Sequence, residues 1–425
     1  KVIESDLGST GKISGLAQQT DFYRDIVKNV DGKVFVIISD AMRYDVAHSL
    51  AKQLEIETKA DVEISAQQGI YPTITKYGMA ALLPHKTLEV VENNGTTKVL
   101  VDGHSSEMSD RDGILKSYSE NSMALRYKDI ISMKRDDRRA AVKGKDIIYI
   151  YHDTIDASSH NDESSVFDAC EKAINEIKNL VNVICNELQG LNVIITSDHG
   201  FLYTYKELTE SDMMERSSFK KDIIEQGRRY VLTDNSANPD FLMSVKGIYN
   251  DSDMLGFATR ENIRVKGAGG SKFVHGGISL QEMCVPVITY KYLRSGYKAY
   301  RINKDKYDAK PVTIALLSSN RKISNMIFSL NFYQKDDYVA CTYIAYITDS
   351  VGNEVSDKQK IIADKTSTIA KDREFKCTFN LKSQKFSNTE TYYLVTVDEE
   401  GKQIPIKEEM QIDIAMAIDE FDFFS

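Results

Sequence analysis

The sequence predicts an α/β protein: a mostly parallel sheet flanked by helices, followed by an all-β, sandwich-like region. Three observations carry this expectation. Apolar runs of strand length recur, helix-like stretches separate them, and near residue 305 the pattern turns to short β-rich runs. Apolar runs without alternation mark strands buried on both faces, and strand–helix alternation is the signature of a parallel sheet.

In chain order, Gly15–Val30 reads as helical. VFVIISD, Val34–Asp40, is the first buried strand and ends in a carboxylate. DVAHSLAKQLE reads as a helix. DIIYIYHD, Asp146–Asp153, is a second strand, and Ser165–Leu188 a long helix after it. NVIITSDHG, Asn192–Gly200, is a third strand, ending in Asp-His. Residues 201–262 are polar and irregular and suit a cap or insertion. VKGAGGSKFVHGG, Val265–Gly277, is glycine-rich with one histidine. The later runs, PVTIALL, ISNMIFSLNFYQ, YVACTYIAYITD, FKCTFNL and TYYLVTVD, are rich in Val, Ile, Thr, Tyr and Phe, as β-strands are. The domain boundary falls near residues 295–305. This divides the chain into an N-terminal helical segment (1–30), an α/β domain (31–300) and a β-rich domain (301–425).

A chain of 425 residues has length for about two or three domains. Its net charge of -9 argues against a nucleic-acid coat over the whole surface, while leaving room for a local basic groove. Cys170, Cys185, Cys284, Cys341 and Cys377 are scattered, with no CxxC pair. They read as reduced thiols of a cytoplasmic protein. No run is apolar over the ~20 residues that a bilayer-spanning helix needs, so no membrane partner is expected. Because the first residue is Lys1 rather than Met, a longer parent polypeptide is expected.

The candidate metal ligands are Asp40, Asp156, His160, Asp198, His199 and His275. In parallel sheets, ligands gather outside the carboxyl ends of the strands, and the three predicted strands end among these residues. Asp156 and His160 are four apart, a spacing that lets two side chains meet on one helical face. Carboxylate mixed with imidazole suits zinc, with manganese next. Taken singly, an Asp after a strand is more often a helix cap, and DxxxH is a weak signal. Taken together and in order, one metal site explains them all. In YPTITKYGMAALL, Tyr71–Leu83, two threonines precede a helix-like run. Thr75 leads and Thr73 is second choice for a nucleophile, although threonine is also a routine helix cap.

These residues resemble the alkaline-phosphatase superfamily. There, an Asp after the first strand, a nucleophile at a helix start, a DxxxH pair, an Asp-His pair and a late His follow in the order seen here. The wording SDAMRYD, YPTITKYGMAALLP, TSDHGF and VHGGISLQEMCVPVI is similar to the PglZ domain over roughly residues 33–290. That resemblance implies an alkaline-phosphatase-like fold and two divalent metal ions, zinc or else manganese. Asp156, His160 and His275 would hold one ion, and Asp40, Asp198, His199 and the Thr75 oxygen the other. Ser159 stands where DxxGH motifs carry glycine, which alters the turn without removing a ligand.

The implied activity is phosphoric ester hydrolysis, as a phosphodiesterase or nuclease of a BREX phage-defence system with Thr75 as nucleophile. A phosphomonoesterase or phosphomutase-like enzyme and a metal-binding scaffold remain as alternatives. The expected partners are a phosphate-ester substrate, DNA or an oligonucleotide, and other defence proteins. Arg43, Arg228 and Arg229 are candidates for contacting substrate phosphate, because guanidinium matches its geometry. Two basic stretches, Lys134–Lys145 and Arg264–Lys272, could wall a groove.

Overall fold

A computed structural model describes residues 2–206, 208–214, 223–233, 242–247, 254–267, 272–293, 313–318, 320–335, 340–399 and 405–414. The chain divides into two compact units, Lys1–Leu293 and Arg294–Ser425.

The first unit is built on a seven-stranded mixed sheet. Its elements are β1 (Ala17–Gln18), β2 (Val34–Ser39), α1 (Tyr44–Glu57), β3 (Ala60–Gln68), α2 (Thr75–Ala81), β4 (Ser122–Arg126), β5 (Ile147–His152), α3 (Thr154–Asn161), α4 (Val166–Asn186), β6 (Asn192–Thr196), β7 (Leu202–Tyr203), β8 (Phe273–Val274), α5 (Leu280–Met283) and β9 (Cys284–Tyr292). The strand order is β1-β3-β9-β6-β2-β5-β4, with β7 and β8 forming a separate pair. Strands β6, β2, β5 and β4 run parallel, whereas β9 is antiparallel to both β3 and β6.

The two faces of this sheet follow from strand geometry. Successive side chains alternate sides, so an all-apolar strand feeds two cores. Val34, Val36 and Ile38 enter one core with Tyr149 and Ile194. Phe35 and Ile37 enter the other with Ile148, Ile150, Val193 and Ile195. Helix α4 buries Ala173, Ile174, Ile177, Val181 and Ile184 on that second side, at helical spacing. Each such Ile or Val side chain contributes about 1.5–3 kcal/mol when fully buried.

Gly15–Val30 is not one helix. It contains β1 and three short helical turns. Gln18 and Gln19 are drawn to the sheet instead, with Gln18 reaching Gln68 and Gln19 reaching Asp198. Within 201–262 the described residues are more regular than their composition suggests. Ile223–Gln226, Tyr230–Thr233, Leu255–Ala258 and Met243–Lys246 form a four-stranded antiparallel sheet over a small core of Val231, Leu242, Phe257 and Val265. Strands of four residues are too short to show a clear period in sequence.

The second unit is all-β, in agreement with the expected fold class. One sheet joins Ile314–Leu316, Ile327–Gln334 and Glu374–Asn380. A five-stranded sheet joins Lys322–Ile323, Ile406–Ile412, Tyr392–Asp398, Cys341–Thr348 and Gln359–Ala363. Both contribute to one core, including Phe332, Tyr343, Ile347 and Phe379. None of the five cysteines is in a disulfide. Among the described residues no helix is long and apolar enough to cross a membrane.

Candidate metal centre

The three adjacent parallel strands β6, β2 and β5 deliver their carboxyl ends to one edge of the sheet. Asp40 follows β2 directly. Asp198 and His199 stand just past β6, and Asp156 lies in α3 just past β5. The chain turns sharply after Asp40, with Ala41 in the left-handed region at φ 61°. That turn aims the Ala41 N–H at Asp198 Oδ1, 3.1 Å away. Buried Gln19 fixes the other side: its Nε2 donates to the carbonyls of Ser197 (3.1 Å) and Asp198 (2.7 Å).

Asp40, Asp198 and His199 each present a ligand atom, and these atoms all lie within 4.8 Å of one another. The His199 ring is oriented by its neighbour. Nδ1 donates to the Gly200 carbonyl at 2.9 Å, which leaves the Nε2 lone pair facing the cluster. Nε2 is 3.4 Å from Asp198 Oδ2 and 3.7 Å from Asp40 Oδ1. Asp40 Oδ1 and Asp198 Oδ2 are both buried without a hydrogen-bond partner. Burial, followed by the charges of Asp198 and Asp156, pushes the Asp40 carboxyl well above its ordinary range. Two buried carboxylates with orphaned oxygens are costly unless a cation lies between them. The donor set therefore fits a divalent metal.

Asp156 and His275 form a second group beside the first. His275 Nε2 is 3.9 Å from Asp156 Oδ1, and the His275 ring stacks on His199 with centroids 4.4 Å apart. His275 directly follows β8, which pairs with β7 just after the Asp-His strand end. His160 lies in α3 one turn beyond Asp156, and its side chain is outside the described residues. Ser159 bonds the Ile155 carbonyl inside the same helix.

Thr75 is the first residue of α2, and its Oγ1 is 3.2 Å from His199 Nε2. Gly78, in the same helix, makes that approach possible. A Cβ there would stand 2.2 Å from the Asp198 carbonyl oxygen.

The family model described as "BREX system PglZ alkaline phosphatase-like domain" matches residues 20–290. The chain belongs to the PglZ family. "Alkaline phosphatase-like protein PglZ" of Bacillus cereus (strain H3081.97) is 37% identical over 424 residues, covering 96% of this chain and 48% of that protein. "Alkaline phosphatase-like protein BrxZ" of Escherichia coli O9:H4 (strain HS) is 32% identical over 427 residues, with the same coverages, 96% and 48%. The chain thus spans about half the length of these curated relatives. Among solved structures, murine ectonucleotide pyrophosphatase / phosphodiesterase 5 aligns with a TM-score of 0.42 at 14% identity, over 61% of this chain and 88% of that one.

Other residues singled out in this PglZ-family sequence fall elsewhere. Thr73 is buried and ties down the histidine loop: its Oγ1 donates to the Gly277 carbonyl (2.7 Å) and accepts from the Gly276 N–H (3.2 Å). Arg229 is 1% exposed and forked onto Glu282, with Nη1 on the Glu261 and Ile263 carbonyls. It is therefore a structural clamp and not a phosphate contact. Arg228 Nη1 donates to the Val265 carbonyl. Arg264, expected on a groove wall, is fully buried, and burial lowers its guanidinium to about 10. Arg43 remains near the strand ends, with its guanidinium 5.2 Å from the Phe201 ring centroid and paired with exposed Asp45.

Two supporting residues escaped the sequence reading. Gln19 has no local signal, because its partners are 178 and 179 residues away. Arg111, whose charge opposes the rise of Asp40, lies over the Tyr151 ring at 4.5 Å and carries no motif. His152, at the end of β5, is engaged by Ser39 (3.0 Å) and Glu176 (2.9 Å).

Proposed function

We propose that this chain is a metal-dependent phosphodiesterase with nuclease activity, working with other proteins of a BREX defence system, and that Thr75 is its nucleophile. The observation that supports this reading is the meeting of the Thr75 hydroxyl with His199 Nε2 at 3.2 Å, beside two orphaned carboxylate oxygens. Asp40, Asp198 and His199 would hold one cation, and Asp156, His160 and His275 a second. When bound, divalent cations would neutralise charge on the phosphoryl oxygens and lower the pKa of a nearby hydroxyl.

The chain's own residues supply the rest. Thr75 Oγ1 attacks phosphorus, the ester oxygen opposite departs, and water then hydrolyses the threonyl phosphate. The His199 Nδ1–H bond to Gly200 keeps the ring in one tautomer throughout. Arg43 exchanges its exposed Asp45 pair, of little worth in water, for a substrate phosphate. Thr75, Asp156 and His275 are all partly exposed, which suits a diester extending on both sides of phosphorus.

The test is turnover of bis(p-nitrophenyl) phosphate, p-nitrophenyl phosphate and single- and double-stranded oligonucleotides by zinc- or manganese-loaded protein, beside Thr75→Ala. Diester and oligonucleotide cleavage lost in Thr75→Ala is expected. Cleavage by Thr75→Ala at the wild-type rate, or of neither ester by metal-loaded protein, would overturn the reading.

A further inference from the structure

A cavity of about 290 Å³ opens where the chain leaves α2, and no residue of the metal centre lines it. Its buried wall includes Tyr23, whose hydroxyl burial pushes upward and so keeps as an O–H donor. Tyr118 stands edge-on to Tyr23, with centroids 6.2 Å apart. Its own hydroxyl is committed to Asp102.

The charge in this cavity is unbalanced. Asp21 is neutralised by Arg24 at 3.1 Å, and Arg24 also holds Asp25 at 2.7 Å. Lys28 and Lys86 also line the cavity, and neither ammonium has an acidic partner among the described residues. His85 lies between cavity and core. Its Nδ1 donates to the Leu83 carbonyl at 2.7 Å, which leaves Nε2 as its remaining polar atom. Burial lowers the His85 imidazole, against the opposing pull of the Leu83 carbonyl and of the Asp102 and Asp21 carboxylates. The charged groups lining the cavity, Arg24, Lys28 and Lys86 against Asp21, are positive in balance on a chain of net charge -9.

We propose that this cavity binds a small phosphate-bearing anion, separately from the metal centre. Its volume is at the low end of small-molecule sites, which run from about 300 Å³ upward, so the ligand is compact. Lysines bind phosphate as point charges, and two of them match a dianion. Free phosphate and a short phosphate monoester share that chemistry. The cavity also touches the metal centre indirectly: Thr20 and Asp21 line it, and the adjacent Gln19 holds the Asp198 carbonyl. The binding proposal stands whether or not the metal centre hydrolyses diesters.

The experiment is calorimetric titration of inorganic phosphate and of glycerol 3-phosphate into the metal-loaded full chain, Asp40→Asn and Lys28→Gln/Lys86→Gln. Binding should survive in Asp40→Asn and weaken at least tenfold in the lysine variant. Preference between the two probes identifies which source the cavity fits. The lysines are exposed, so the variant should melt as the wild type does and keep its ester turnover. Histidine NMR gives a second readout: one of the seven ring signals, that of His85, should move with phosphate in the wild type and not in the lysine variant. Lysine-independent binding, binding lost in Asp40→Asn while its fold persists, or lysine-dependent binding of oligonucleotide alone would each overturn the proposal.

Discussion

Thr75 Oγ1 and His199 Nε2 stand 3.2 Å apart, joining the first turn of a helix to a strand end 124 residues later. If this hydroxyl is the nucleophile, Thr75→Ala should lower turnover by about 1,000-fold or more, the usual scale for losing such a group. Metal content should be unchanged, because the six carboxylate and imidazole donors remain. Thr75→Ser should keep measurable activity. Steady-state kinetics beside metal analysis checks both.

Helix α2 can approach Asp198 only because residue 78 lacks a side chain. Alanine is the better helix former by about 1 kcal/mol. Here its Cβ would meet the Asp198 backbone at 2.2 Å, and backbone cannot give way as a flexible side chain can. The clash should win, with a net loss of about 2 kcal/mol in chemical denaturation. Gly78→Ala should also lower activity, since relief of the clash moves Thr75 or Asp198.

The Asp40 and Asp198 carboxylates burden the metal-free protein. Asp40 is held well above the usual carboxylate range by burial first and by Asp198 and Asp156 next. Chelation should therefore lower the melting temperature, and zinc or manganese should restore it by binding the native state alone. Asp40→Asn should do the reverse. It should stabilise the chelated chain by about 1–2 kcal/mol, because a neutral amide loses less on burial, and it should abolish the gain from added metal. A melting temperature indifferent to chelator in the wild type would contradict the assignment.

Much of this was legible in sequence, for definite reasons. Strands β2, β5 and β6 are buried on both faces, so they read as unbroken apolar runs, and Asp40, Asp198 and His199 follow within three residues of a strand end. Motif order does the rest. Arg229 was misread because a buried guanidinium clamp and a phosphate contact use the same residue type, and only Glu282, 53 residues away, tells them apart. Gln19 and Gly78 were invisible as site residues for the same reason: their meaning lies in a backbone brought close by the fold.

Glu225 sets an acid limit on stability. Burial raises its carboxyl, but hydrogen bonds from Lys76 (2.7 Å), Thr97 and Tyr230 (2.7 Å) outweigh that and hold it below its ordinary value. A carboxyl with a depressed folded pKa adds stability that is complete above its unfolded value, about 4.3, and fades as pH falls through the folded value. Melting temperature should thus drop as pH falls below about 4.3, with part of the drop absent in Glu225→Gln. At neutral pH that variant should be less stable by about 2 kcal/mol, the scale of a charged hydrogen bond.

Arg229 and Arg43 separate structure from chemistry. Removing the Arg229 head leaves Glu282, which is 0% exposed, without its counter-charge. Breaking one side of a buried pair typically costs about 3–5 kcal/mol, so Arg229→Ala should fall mainly in stability. Arg229→Met/Glu282→Leu should recover part of that loss, because it removes both charges. Arg43→Ala, whose partner Asp45 is exposed, should cost under about 1 kcal/mol and act instead on ester turnover, raising KM. Denaturation midpoints beside kcat and KM for the three variants decide the matter. An Arg43→Ala enzyme with unchanged KM and kcat would remove this arginine from the substrate site.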